Sequence, residues 1–238
     1  SSLRQVVEAI HVQVDHVYVY LNNFTVVPSF LNLPNVTVLR SQDHGDLRDV
    51  GKFFPLTFLN SGYYISIDDD IIYPADYVER LVSALQQCEG KAVVGVHGVL
   101  LPRHPRSFFD RKVFTFSKGL QCNVPVSFLG TGTCAFDLDE VSVPFSIFTS
   151  YGMADLHVGT HLKAVGVPAV AISRKTGWLR EIEPEGEEGT SLYLQTRQLS
   201  APHNILIREG GQWGERDILD RAQVLEQMPL LDDEVKYA

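Results

Sequence analysis

The feature that most constrains this chain is a β-type run that stops at three adjacent carboxylates: Tyr63-Tyr64-Ile65-Ser66-Ile67, then Asp68-Asp69-Asp70. Aromatic and β-branched side chains suit a pleated, half-buried surface. Adjacent carboxylates repel one another unless positive charge sits among them. Pro74 follows, a residue tolerated in the first turn of a helix. Val78, Leu81, Val82 and Leu85 then supply an apolar stripe, and Gly90 closes it. A strand, an acidic strand end and an amphipathic helix form the unit of an open α/β sheet, in which ligands bind outside the carboxyl ends of strands.

The rest of the chain continues that rhythm. Leu3, Val6, Val7 and Ile10 have helical spacing, and Val17, Val19 and Leu21 alternate as in a strand that Asn22-Asn23 ends. Val36 to Leu39 predicts a short strand, Asp43 to Asp46 a loop, and Lys52 to Leu59 a helix. Beyond Gly90, Ala92 to Val96 predicts a strand. Pro102 to Lys118 is rich in basic and aromatic residues, an excursion suited to a lid over a diphosphate or to an acceptor groove. Val124 to Phe136 predicts a strand interrupted at Gly130-Thr131-Gly132-Thr133 by a close backbone approach or a bulge. Met153 to Val165 predicts a helix opening near Asp155, Val167 to Ser173 a strand, Glu181 to Gly189 an acidic loop, and Ile218 to Met228 a last helix. No internal repeat or linker divides the 238 residues, so one domain over 1–238 is expected.

Composition narrows the partners. A formal net charge of -9 argues against nucleic acid, which needs a basic face. It leaves a nucleotide substrate open, because a divalent cation neutralises a diphosphate locally. Cys88, Cys122 and Cys134 are odd in number and unpaired in spacing, which points to a reducing compartment. The expected location is the cytoplasm, including the inner face of a membrane. No apolar stretch is long enough to span a bilayer. Asn23-Phe24-Thr25 and Asn35-Val36-Thr37 are glycan-acceptor triplets that would apply only in a secretory setting.

The aspartates have two readings. In the first, period-two alternation sends Asp68 and Asp70 to one side, where Mg²⁺ or Mn²⁺ bridges them to a substrate diphosphate, and sends Asp69 towards a sugar or ribose hydroxyl. In the second they are a solvated acidic turn ahead of a helix. His157 and His161 stand four apart with no third ligand, the spacing of ordinary polar-face histidines.

The residues Tyr63 to Pro74 resemble the Asp-x-Asp segment of glycosyltransferase family 2 and related GT-A enzymes. Gly45-Asp46-Leu47-Arg48-Asp49-Val50-Gly51-Lys52-Phe53-Phe54 resembles the nucleotide-contacting segment of that group. Leu129-Gly130-Thr131-Gly132-Thr133 resembles its strand beside the reaction centre. Met153-Ala154-Asp155-Leu156 resembles its base-bearing helix, and Arg174-Lys175-Thr176-Gly177-Trp178-Leu179 its acceptor-side loop. The resemblance covers 1–194 and leaves 195–238 as a C-terminal extension. It implies a GT-A fold with a mixed, mostly parallel central sheet flanked by helices. It also implies transfer of a sugar from a nucleoside-diphosphate donor, UDP-sugar favoured, to a carbohydrate or glycoconjugate acceptor, as in polysaccharide biosynthesis.

The same resemblance assigns roles. Asp155 is the base of an inverting transfer, against the plain reading of a helix N-terminal carboxylate. Asp68, Asp70 and His203 are the ligands of Mn²⁺ or Mg²⁺. Asn22, Asp46, Lys52 and Asp69 are donor-binding, and Gly130, Thr131, Gly132 and Trp178 are acceptor-binding. Two departures stand out. The chain opens at a helix where the family has a first strand, so that strand is expected to be missing and the chain to be part of a larger multidomain protein. Asn22-Asn23 replaces an acidic residue. Two other classes stay open: a nucleotidyltransferase or sugar pyrophosphorylase, and a non-catalytic, cation-dependent sugar-binding module.

Overall fold

A computed structural model describes residues 1–182, 201–214 and 218. In chain order the elements are α1 (Ser2–Ile10), β1 (Val17–Leu21), β2 (Val36–Arg40), α2 (Ser41–His44), β3 (Tyr63–Ile67), β4 (Ile71–Ile72), α3 (Tyr77–Gln87), β5 (Val93–Gly95), β6 (Gly98–Leu100), β7 (Lys112–Phe114), β8 (Val124–Val126), β9 (Phe128–Leu129), β10 (Thr133–Asp137), α4 (Ala154–Ala164), β11 (Ala169–Ala171), β12 (Arg180–Glu181) and α5 (Ala201–Glu209). A 3₁₀ helix spans Arg48–Thr57, where the sequence predicts an α-helix. Pro55 lies inside it; a proline there lacks the N–H and crowds the carbonyl four residues back, which favours the tighter turn. The expected loop at 43–46 overlaps α2, a single turn ended by Gly45 at φ 88°. The helix expected at 218–228 falls outside the described residues apart from Ile218, which is buried. Of the loop expected at 181–189, Glu181 belongs instead to β12, while 183–189 fall outside the described residues.

The largest sheet has the order β3-β10-β5-β11-β8, and its strands alternate between two apolar layers. Val94, Ala135 and Val170 face one layer with α1, β1 and α3; Val93, Cys134, Phe136, Ala169 and Ala171 face the other with Val50, Phe53, Ala154 and Val158. Burial on both faces explains why β5 and β11 read as continuous apolar runs. A third cluster, Val99, Leu101, Phe108, Phe128, Leu156, Ile207 and Trp213, fastens α5 and the excursion to α4.

The expectation of a mostly parallel sheet is corrected. Among the described residues only β1–β2 and β5–β11 pair in parallel; β3–β10, β10–β5, β11–β8, β4–β12, β6–β7 and β6–β9 are antiparallel. Hydrophobic alternation reports a strand and its buried face but carries no information on direction. The interrupted strand at 124–136 is three strands in two sheets. The fold is therefore mixed α/β with several small sheets, and none of its described helices is long and apolar enough to cross a membrane.

Candidate functional site

The site begins where β3 ends. Its backbone stops being extended at Asp68, and Asp69-Asp70 form a turn, so the expected alternation of the three carboxylates does not continue. Asp68 alone turns inward. Its N–H donates to the Tyr73 hydroxyl at 2.9 Å, and that hydroxyl donates to the Gly132 carbonyl at 2.6 Å. One buried tyrosine thus ties the acidic strand end to the turn before β10. Gly132 has a specific reason to be glycine: any Cβ there would overlap the Asp68 carboxylate.

Lys52, on the 3₁₀ helix, donates from Nζ to Asp68 Oδ1 at 2.5 Å. Burial works against its charge, yet the carboxylates of Asp68 and Asp155 outweigh it and hold the pKa above the usual lysine value. Lys52, expected to contact the nucleotide, is bonded here to the acidic strand end. Behind it lies the Cys134 thiol, pushed up to about 12 by burial and held neutral; it and the other two cysteines are free.

Two of the expected donor residues, Asn22 and Asp46, meet at the start of the same 3₁₀ helix. Asn22 accepts from the Leu47 N–H (3.2 Å) and donates to the Arg48 carbonyl (3.0 Å), while Asp46 accepts from the Arg48 N–H (3.1 Å) and from Asn23 Nδ2 (3.1 Å). These bonds hold Arg48 at φ 47°, a left-handed conformation costly for a residue with a side chain. Tyr20 closes the ring by donating to the Gly45 carbonyl at 2.7 Å.

Asp155 stands in the first turn of α4. Its Oδ1 accepts both the N–H (2.8 Å) and the hydroxyl (2.6 Å) of Thr131, between Gly130 and Gly132. Both bonds fall on one oxygen, so the carboxylate is oriented while Oδ2 stays available as an acceptor. Gly130 lies against the His97 side chain, where a Cβ would be 3.1 Å from it. Burial lowers the His97 pKa, the Asp155 charge opposes this, and Arg111, Arg174 and Asp68 also act on it. Lys52, Asp68, Thr131, Asp155 and His97 thus gather from five chain segments.

The carboxyls of Asp69 and Asp70 lie on the exposed rim of this cluster. Loss of hydration and then repulsion from Asp68 raise the Asp69 pKa. Loss of hydration, then repulsion from Asp68 and Asp69, push Asp70 up to about 6, with Glu181 adding to the effect. Oxygen donors in a field of negative charge that Lys52 offsets only in part suit a hard divalent cation, so the carboxylates of this rim are the donor type that Mn²⁺ or Mg²⁺ takes. The third expected ligand stands apart. His203, buried on α5, packs its ring 4.8 Å from Phe108, and its Nδ1 has no hydrogen-bond partner. Burial lowers its pKa, and the carboxylates that act on it are Asp155 and Asp49. Among the described residues no three His, Cys, Asp or Glu side chains form a ready metal cage.

Trp178 is placed elsewhere. It donates to Asp76 Oδ1 at 2.9 Å, stacks under the Arg80 guanidinium at 4.2 Å and meets the Tyr77 ring at 5.8 Å, all at the start of α3. No described contact joins it to Asp155 or to the Gly130–Gly132 turn. His157 bonds Ser150 Oγ at 2.9 Å and His161 the Ser142 carbonyl at 2.8 Å, as structural histidines do. The Asn35 amide is bound to the His11 and Val14 carbonyls.

Three participants carried no assignment in the sequence: Tyr73, His97 and Asp49. Tyr73 had a weak signal, a tyrosine close behind an acidic strand end. His97 had none beyond its place after β5. Asp49 bonds to residues more than a hundred positions away, and short-range spacing does not reveal such a partner. No protein-family model matches this chain, and no curated protein matches it.

Proposed function

We propose that this protein is a metal-dependent glycosyltransferase with a GT-A fold, moving a sugar from a nucleoside-diphosphate donor, UDP-sugar favoured, to a carbohydrate or glycoconjugate acceptor. The observation that carries the reading is the gathering, around Lys52, of the acidic end of β3 and the Asp155 carboxylate from α4. Such a pair meets the two needs of the reaction: charge control at a diphosphate and a base for an incoming hydroxyl.

Asp155 Oδ2 takes the proton of the acceptor hydroxyl while Thr131 fixes Oδ1. The acceptor oxygen forms a bond to the anomeric carbon as the bond from that carbon to the β-phosphate oxygen breaks, which inverts the configuration. Asp68 and Asp70 would hold the cation. When bound, that cation offsets the charge developing on the leaving diphosphate. Lys52 holds Asp68 in place. Asn22, Asp46 and Asp69 would face the nucleotide and its sugars, and the Gly130–Gly132 turn the acceptor. Trp178, at α3, would bind the outer part of an extended acceptor.

The test is a donor screen that reads nucleotide release with each nucleotide sugar, beside thermal shift with UDP with and without Mn²⁺. Wild type should release UDP and be stabilised by UDP only when Mn²⁺ is present, and Asp70→Ala should lose both while staying folded. Stabilisation by free sugar and cation without any nucleotide would favour a sugar-binding module instead. Release of pyrophosphate would favour a nucleotidyltransferase.

A further inference from the structure

Helix α4 does not cap itself. Its N-cap position is Met153, which has no side-chain acceptor, and the preceding Gly152 sits at φ 78°. The first amide of the helix and the one just before its N-cap are satisfied from a distant element: Asp49 Oδ2 accepts the Ala154 N–H at 3.1 Å, and Asp49 Oδ1 accepts the Gly152 N–H at 2.6 Å. Ala154 directly precedes Asp155. Asp49 stands one position after the left-handed Arg48, and so at the end of the ring of bonds built by Asn22 and Asp46. One turn further along the same 3₁₀ helix, Lys52 holds Asp68. A single rigid segment thus grips both the acidic strand end and the turn that carries Asp155.

We infer that Asp49 is a positioning residue for Asp155, setting where that carboxylate stands relative to Asp68 by clamping the Gly152–Ala154 turn. The inference rests on the proposed role of Asp155. Both carboxylate oxygens of Asp49 are taken up by backbone amides of that turn. A merely structural cap would lower stability and leave an active folded fraction with normal turnover. A positioning clamp lowers turnover in the folded protein, because a base displaced by about 1 Å loses on the order of 100-fold in rate.

The experiment compares wild type, Asp49→Asn and Asp49→Ala at a temperature where all three are folded, reading kcat and donor KM together with hydrogen exchange at Gly152 and Ala154. Asp49→Ala should lower kcat by roughly 100-fold, leave donor KM within about twofold, and speed exchange at both amides. Asp49→Asn, which keeps an acceptor oxygen, should recover at least ~10-fold of that loss by the same displacement argument. If Asp49→Ala does not fold, the same kcat-against-KM split in Asp49→Asn against wild type decides. Unchanged kcat, a loss carried by donor KM, or an Asn variant no better than Ala would overturn the role. A wild type that transfers no sugar at all overturns the proposed function and this role with it. An active wild type with unaffected Asp49 variants overturns this role alone.

Discussion

Helices α3 and α4 are each eleven residues long and each carries one acidic side chain in its first turn, Glu79 and Asp155. Beyond that they differ in almost every respect. Helix α3 buries one stripe, Tyr77, Leu81, Ala84 and Leu85, and exposes Glu79 and Ser83. Helix α4 is buried over most of its surface, including Ala154, Leu156, His157, Val158, Gly159 and Leu162, and takes its cap from Asp49. Both helices could be drawn from the sequence, but α3 rests on a single buried stripe, while α4 is held by its surroundings and carries Asp155, the proposed base. Carboxylates in equivalent positions therefore mean different things. Glu79 interacts with a helix terminus and solvent, whereas Asp155 is oriented by two Thr131 donors.

The sharpest way to break this contrast is to neutralise both. Asp155→Asn should lower transfer by roughly 10²–10⁴-fold, the usual worth of a general base, with the fold intact. Glu79→Gln should leave transfer unchanged and cost only ~0.3 kcal/mol of stability through the helix terminus. Steady-state rates and denaturant midpoints for the two variants decide it. Equal, small effects would make Asp155 just another first-turn carboxylate.

A second pair of variants asks whether local propensity governs each helix. Alanine is a better helix former than serine by about 0.5 kcal/mol and than glycine by about 1 kcal/mol. Ser83→Ala should accordingly stabilise the protein by ~0.5 kcal/mol, since Ser83 is exposed. Gly159→Ala should go the other way, because a Cβ there overlaps the Cβ of Phe128 in the packed interface with β9. Overpacking costs about 1–3 kcal/mol, so a net loss of up to ~2 kcal/mol remains after the ~1 kcal/mol gain in propensity. Urea unfolding of both variants reads the signs directly, and a stabilising Gly159→Ala would mean that α4 obeys its own sequence after all.

The same contrast explains what could be read from the chain alone. The strand at Tyr63–Ile67, helix α3 and the acidic turn were legible because their signals are local: an alternation, a 3.6-residue stripe, a run of like charge. Asp155 and the Gly130–Gly132 turn were singled out through the family resemblance, and the fold brings them into contact. Strand direction was not legible, since β10 has the same alternating pattern whichever way it runs. The roles of Lys52 and Asp49 were not legible either. Both depend on partners brought close only by tertiary packing, Asp68 for one and the Gly152–Ala154 turn for the other. Trp178 has an aromatic face suited to a sugar, yet its indole N–H is already bonded to Asp76.

The smallest expected effect compares a carboxylate oriented by two donors with one whose charge is mainly opposed. Asp155 has Thr131, whereas Asp70 meets mainly loss of hydration and repulsion from Asp68 and Asp69, which push its pKa up to about 6 against a usual 3.8. The folded protein therefore binds more protons at Asp70 than the unfolded chain does between those values, so its stability falls as pH rises through that window. The penalty is absent below about pH 4 and fully present above about pH 6. Because the side chain is exposed and screened by solvent, it should stay under ~1 kcal/mol. In chelator-treated buffer, Asp70→Asn should match wild type in melting temperature near pH 4 and exceed it slightly by pH 7. Adding Mn²⁺ at pH 7 should stabilise wild type and leave the variant unmoved. A variant less stable than wild type at pH 7 without metal would show that Asp70 already has a counter-charge in the folded chain, and the rim of the site would then need another way to hold a cation.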